Sequence, residues 1–193
     1  MSATLSQKEI INHATKDEHN FRVAMEVVRA FPELCKQVIH DFSQKFKSTL
    51  EKPGYKVDTS RWENSPTGSN TGMTYQQDSW PPDIAIRIEA QQSGIHNYVI
   101  GVNGRKDKID CQVREKIYTA LNSKIMGGKQ TEWYIWYEDL KGDYKNFDNP
   151  QTLIALYKIA NDQQTEMLDY LTNRIREIEQ IVREALTEEK RTP

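Results

Sequence analysis

Acidic side chains beside one predicted strand are the residues with which this chain could cut a nucleic acid. A metal-dependent nuclease needs a carboxylate on one strand, then an acid and a lysine two positions apart on the next strand. Asp83 and Glu89 lie at the two ends of a predicted strand. The next strand offers residues 97–99 or 101–103, Asn-Tyr-Val or Gly-Val-Asn, where the acid and the lysine are required. We therefore predict no catalytic residues; a divergent nuclease built on Asp83 and Glu89 is an alternative.

Histidines and cysteines form no recognisable ligand set. The four histidines stand singly, without an HExxH or His-x-x-x-His pattern, and the two cysteines, Cys35 and Cys111, have no CxxC partner. We expect two buried thiols, no metal site and no bound cofactor.

A basic turn and a group of aromatic residues are the features that could bind a ligand. Residues 103–108 read Asn-Gly-Arg-Lys-Asp-Lys before a predicted helix, a pattern that could receive a phosphate; a solvated connection is the alternative. Aromatic rings cluster at residues 133–137, and an exposed ring among them would be a contact hot spot. The contact candidates are Arg61, Arg87, Arg105, Lys106 and Trp136.

Charge and hydropathy limit the classes of partner. The chain has 26 basic and 28 acidic residues and a net charge of −2, which argues against an electrostatic grip of the whole protein on DNA or on an anionic membrane. The polar start of the chain and the lack of a long apolar run favour a soluble, cytoplasmic protein that does not enter a membrane.

The hydrophobic pattern predicts the elements that must position these residues. Residues 9–14 and 20–30 read as short helices, and a further helix is expected to begin at Pro32 and to end before Pro53. Alternation of apolar and polar residues predicts about five strands within residues 55–140, and apolar residues at every fourth position predict one helix over residues 108–125. Within the last strand we expect Trp133, Ile135 and Tyr137 on one face and Tyr134 and Trp136 on the other.

The order of these elements indicates an α+β domain with a largely antiparallel sheet. We expect one globular domain with a helical segment over residues 1–54 packed on the sheet, a β-rich core over 55–147 and C-terminal helices over 148–193. The last helix has a narrow apolar stripe that fits either an intramolecular contact or a homo-oligomer contact. Its members are Met167, Leu171, Ile175, Ile178, Val182 and Ala185.

The middle and the end of the chain also resemble a known family. Five features follow one another along the chain: a Trp-Pro pair before an Ile-rich strand, the strand at residues 98–102, the glycines at 127–128, the aromatic run at 132–137 and Phe-Asp-Asn-Pro at 147–150. Together they resemble the C-terminal accessory region of bacterial and phage PD-(D/E)xK nuclease-like proteins. The resemblance covers about residues 55–186, and such proteins carry their catalytic motif in a preceding domain. It implies a stand-alone binding or regulatory module, such as an inhibitor, in phage defence, counter-defence or nucleic-acid processing.

The expected function is therefore a non-enzymatic interaction with a protein partner. Binding of nucleic acid or of a nucleotide signal through the basic turn and the aromatic rings is the second hypothesis, and the divergent nuclease is the third.

Overall fold

The computed structural model describes residues 7–93 and 95–187. Residues 1–6 of the predicted N-terminal segment and residues 188–193 of the predicted C-terminal segment lie outside this range. Gly94, in the predicted turn at 91–94, lies outside it as well. The chain divides into two compact units, residues 1–37 and 38–193, and each is described by itself. In the described part no helix has an apolar stretch long enough to cross a bilayer.

Two helices account for the first unit. Helix α1 is Gln7–Ala14, and helix α2 is Glu18–Leu50, which continues into the second unit. Asp17 marks the start of α2, since its carboxylate accepts a hydrogen bond from the backbone N–H of Asn20 at 2.8 Å. The predicted break before α2 is present.

The prediction that a new helix begins at Pro32 is wrong. Pro32 lies inside α2, where its ring nitrogen cannot donate the usual hydrogen bond to the carbonyl of Val28. Ion pairs between side chains three or four positions apart stabilise the helix on both sides of this point. They join Glu18 to Arg22, Glu26 to Arg29 and Glu33 to Lys36.

The second unit contains a five-stranded antiparallel sheet with strands in chain order. The strands are β1 Tyr55–Asp58, β2 Gly72–Gln77, β3 Ala85–Gln92, β4 His96–Asn103 and β5 Tyr134–Asp139. Helix α3, Ser60–Asn64, connects β1 to β2, and helix α4, Cys111–Lys124, connects β4 to β5. The predicted α+β class and the antiparallel sheet are confirmed. Cys35 is buried as expected, whereas Cys111 is exposed at the start of α4.

One face of the sheet carries the core. Ile86 and Ile88 of β3 face the same side as their partners Val102 and Ile100 of β4, and all four side chains are fully buried. An aromatic cluster extends this core: Tyr98 stacks on Phe147 with ring centres 3.7 Å apart, and its hydroxyl accepts a hydrogen bond from the Trp62 indole. Phe42 and Phe46, in the last turns of α2, are buried as well.

The C-terminal helices add to the hydrophobic core. After a 3₁₀ helix at Gly142–Lys145, helix α5 is Pro150–Ala160 and helix α6 is Glu166–Thr187. The carboxylate of Glu179 on α6 is buried and accepts hydrogen bonds from the hydroxyls of Tyr55 and Tyr75 at 2.6 and 3.2 Å. The apolar stripe of α6 is buried within the chain itself, with each of its six predicted members at most 5 % exposed. The intramolecular interpretation of that stripe is therefore right, and the stripe is not free for a homo-oligomer contact.

Candidate binding groove on the sheet

A polar groove of about 630 Å³ lies on the sheet face that α6 leaves uncovered. We call it the strand-face groove. Strands β3, β4 and β5 supply its floor, the α3 region supplies one wall, and the turn before β5 supplies the other. It is lined by Arg61, Asn70, Arg87, Glu89, Gln91, Asn103, Thr131, Glu132, Trp133, Tyr134 and Tyr137.

Two glycines leave room for the charged residues of the floor. Arg87 and Glu89 point to the open face because they alternate along β3 with the buried isoleucines. Gly72 of β2 pairs with Glu89, and Gly101 of β4 pairs with Arg87. Directly paired residues share a sheet face, so each charge lacks a neighbouring side chain on one of its two sides. On the other side Arg87 pairs with Thr74 of β2, and Glu89 pairs with Val99 of β4.

The charged residues of the floor form a connected polar group. Glu89 is only 6 % exposed, and its carboxylate accepts hydrogen bonds from Arg87 at 3.3 Å and from the side-chain amide of Gln91 at 3.1 Å. Burial, and then the negative charge of Glu89, raises the pKa of Tyr134 well above its usual range. The hydroxyl of Tyr134 is buried and has no hydrogen-bond partner at normal geometry among the described residues.

Hydrogen bonds hold the turn that carries Trp133. The Thr131 hydroxyl accepts from the backbone N–H of Trp133 and of Tyr134 at 3.3 and 3.0 Å. From α4, the buried guanidinium of Arg114 donates to the carbonyls of Thr131 and Tyr134 at 2.7 and 3.2 Å. Burial lowers the pKa of Arg114. Trp133 itself is 50 % exposed, so this turn presents a large aromatic ring on a well-fixed backbone.

The basic turn lies beside the groove. Arg105, Lys106 and Asp107 line a smaller depression of about 370 Å³ that shares Glu132 and Trp133 with the groove. Arg105 lies over the ring of Trp133 at 4.8 Å and donates two hydrogen bonds to Asp107, at 2.9 and 2.8 Å. The Arg105 side chain lowers the pKa of Asp107.

The backbone N–H groups at the start of α4 already bind a carboxylate of the chain itself. The carboxylate of Asp110 accepts hydrogen bonds from the backbone N–H groups of Gln112 and Val113. A phosphate at this turn would compete with Asp107 for Arg105 and with Asp110 for the helix N–H groups. The geometry thus favours the solvated connection over a phosphate site.

Four of the five predicted contact residues lie in or beside the groove. Arg61 and Arg87 line the groove, and Arg105 and Lys106 line the adjoining depression. Trp136 does not belong to this surface, because it is fully buried on the core face, where Gly128 packs against its indole ring. Trp133, which was not among the predicted contacts, provides the exposed ring.

A β-bulge changes the face of the sheet on which Tyr134 lies. Trp136 pairs with Val102, but Asn103 pairs with Tyr134, so Ile135 is an extra residue in β5. The predicted strict alternation is therefore wrong at this point. Tyr134 lies on the same face as Tyr137, with ring centres 5.4 Å apart, instead of on the face of Trp136.

The predicted acidic pair is not brought together. Glu89 is the fifth residue of β3, roughly 13 Å along the strand from Ala85, and Asp83 lies two residues before Ala85. Two carboxylates at that separation cannot bind one ion. In residues 7–93 and 95–187 no group of three or more His, Cys, Asp and Glu side chains is placed to hold a metal.

Comparison of the chain with protein-family models, with curated proteins and with solved structures finds no match.

Proposed function

We propose that this protein is a non-catalytic binding module whose strand-face groove captures a segment of a partner protein. The observation that carries the proposal is Trp133, a half-exposed ring on a turn fixed by Thr131 and Arg114. Binding energy at protein interfaces concentrates on such aromatic anchors, and a pre-organised anchor loses little entropy when a partner docks.

The charges of the groove support a protein segment as the ligand. Arg61 and Arg87 are positive, Glu89 and Glu132 are negative, and the side-chain amides of the lining can both donate and accept hydrogen bonds. A peptide offers both signs of charge and both kinds of hydrogen-bonding group along its length. The two carboxylates would repel a chain of phosphates.

The biological setting of this binding rests on the resemblance of residues 55–186 alone. It favours a regulator or inhibitor in phage defence, counter-defence or nucleic-acid processing. The cytoplasm is proposed on a separate ground, because two cysteines without a CxxC pattern are not typical of a disulfide-rich secreted domain.

Affinity capture with matched aromatic variants tests the proposal. The tagged full chain, Trp133→Ala and Tyr157→Ala are each incubated with nuclease-treated host lysate, and captured proteins are quantified by mass spectrometry. Tyr157 on α5 is the control because it is also an exposed aromatic residue, at 56 %, but does not line the groove. We expect Trp133→Ala to lose the partner, with affinity lowered by roughly 30-fold or more, and Tyr157→Ala to keep it. Equal capture by all three proteins would remove the groove from the binding site.

Charge reversal tests the adjoining depression separately. Arg105→Glu combined with Lys106→Glu should abolish capture, while the melting temperature stays nearly unchanged because both side chains are exposed. Capture that survives the double change would exclude these two residues from the contact.

Binding of nucleic acid or of a nucleotide is the second candidate. It is favoured by one observation, the guanidinium of Arg105 over the exposed ring of Trp133, an arrangement on which a base could stack. Retention of the purified protein on a single-stranded nucleic-acid column that falls steeply with added salt would favour this candidate. Retention that is absent at low salt would eliminate it.

A further inference from the structure

The first half of α2 presents an unusually wide apolar face. Placed at 100° per residue, the apolar residues between positions 21 and 34 cover an arc of about 200° of the helix. Seven large members are 42–67 % exposed: Phe21, Val23, Met25, Val27, Val28, Phe31 and Leu34. A soluble helix seldom leaves such an arc in water, so this face is suited to a partner.

The area of this face matches the requirement of a stable dimer. Seven large apolar side chains of α2 are exposed within residues 21–34, and at roughly 100 Å² each they present about 700 Å² per copy. Full burial of both faces would remove at most about 1,400 Å² from water, which lies within the usual range for specific protein interfaces.

The charges on α2 favour another copy of the helix over a lipid surface. Glu18, Glu26 and Glu33 balance Arg22, Arg29 and Lys36, and ion pairs join each acid to a base. Helices that bind anionic lipid carry an excess of Lys and Arg on their polar face, which this helix lacks. All of these charges lie outside the apolar arc, so two copies would meet without like-charge repulsion.

The spacing of the apolar residues also suits a symmetric contact. Phe21 and Val28 are seven positions apart, as are Ala24 and Phe31, and the two pairs are offset by three. This is the repeat with which two helices pack along a common seam. Most soluble oligomers are symmetric assemblies of one chain, in which the same patch meets itself.

We propose that the protein is a homodimer in which residues 18–37 of α2 pack against the same segment of a second copy. The dimer places two strand-face grooves in one assembly. This inference does not rest on the function proposed for the groove, and either can fail alone.

Sedimentation velocity of the full chain, from about 1 to 100 µM, tests the dimer. Val28→Glu places a charge in the seam, and His19→Glu places the same charge on the polar arc of the same helix. Since both sites are exposed, neither change disturbs a packed core. We expect the wild type and His19→Glu to be dimers at micromolar concentration, and Val28→Glu to raise the dimer Kd by at least about 100-fold.

Three results would overturn the proposal in different ways. If the wild-type chain remains monomeric throughout this concentration range but co-sediments with vesicles of phosphatidylcholine and phosphatidylglycerol, the apolar face binds a lipid surface. If it remains monomeric and does not co-sediment with the vesicles, self-association is rejected. A dimer that survives both Val28→Glu and Phe31→Glu would move the contact to another surface.

Discussion

Replacing Glu179 with glutamine should destabilise the second unit by about 2 kcal/mol at neutral pH. The carboxylate accepts three hydrogen bonds, from Tyr55 at 2.6 Å, from Tyr75 at 3.2 Å and from Lys52 at 3.2 Å. Tyr75 and Lys52 bond to one carboxylate oxygen and Tyr55 to the other, so a glutamine whose single oxygen faces Tyr75 and Lys52 loses the bond from Tyr55. A bond to a charged acceptor contributes roughly 1.5–3 kcal/mol, and the two bonds that remain are weaker because their acceptor is neutral. Relief from burying a charge offsets part of that loss, which gives the estimate of about 2 kcal/mol.

The same substitution should remove part of the acid sensitivity of the fold. Although burial opposes the charged form, hydrogen bonds from Tyr55 and Lys52 outweigh it and lower the pKa of Glu179 below its usual 4.5. A carboxyl group with a lowered folded-state pKa stabilises the protein above its unfolded-state pKa, and this contribution is lost as the pH falls through the folded-state pKa. The difference between wild type and Glu179→Gln is therefore complete at neutral pH and shrinks below about pH 4.5.

Urea unfolding, followed at neutral pH and at several acidic pH values, measures both effects. The matched control is Glu184→Gln on the same helix, whose carboxylate forms an exposed ion pair with Lys124 at 2.7 Å. The midpoint should fall for Glu179→Gln without a change of slope, and should stay almost unchanged for Glu184→Gln. Equal midpoints for wild type and Glu179→Gln at neutral pH, or a difference between them that persists undiminished in acid, would refute the reasoning.

Substitutions at three further sites test contacts of α4 and of the segment before β5. Gly128→Ala should destabilise the second unit by about 1–3 kcal/mol, because its new methyl group would lie 1.6 Å from the buried indole nitrogen of Trp136; an unchanged urea midpoint would contradict that contact. Asp110→Ala should cost about 1 kcal/mol by removing the cap of α4, whereas Asp110→Asn should restore most of it. Arg114→Met should loosen the turn that carries Trp133, so hydrogen exchange at the backbone N–H groups of Trp133 and Tyr134 should become faster; unchanged exchange would show that the guanidinium does not hold the turn.

Periodic features of the sequence predicted most of the fold. Alternation in β3 and the repeats of apolar residues in α4 and α6 each depend on local geometry, so the fold class, the order of elements along the chain and the apolar stripe of α6 could be predicted from the sequence. Whether that stripe faces the chain's own core or a second copy could not be predicted from its spacing. The predicted helix start at Pro32 is wrong, although a proline marks a helix start more often than it interrupts a helix. Ion pairs on both sides of that point, Glu26 with Arg29 before it and Glu33 with Lys36 after it, stabilise the continuous helix.

The groove could be predicted only in part. Arg61 and Arg87 were identified by residue type, but their proximity depends on pairing between strands that are distant in sequence. The choice of Trp136 failed because this residue lies on the core face, where its strand partner Val102 is also buried. The bulge at Ile135 changes the face of Tyr134, and no local pattern predicts a bulge. Gly128, which packs against the indole ring, was the available signal that Trp136 is buried.

Two glycines, Gly72 and Gly101, pair with the charged residues of the groove floor and limit how this surface can change in evolution. A methyl group added at Gly72 would meet the backbone of β3 at 2.0 Å, and one added at Gly101 would meet the backbone of β5 at 2.4 Å. Neither site accepts a side chain without moving a strand, so the depth of the groove is tied to the integrity of the sheet. In the course of evolution, new ligand preferences would therefore arise by substitution of residues on the two walls of the groove, while the depth of its floor stays the same.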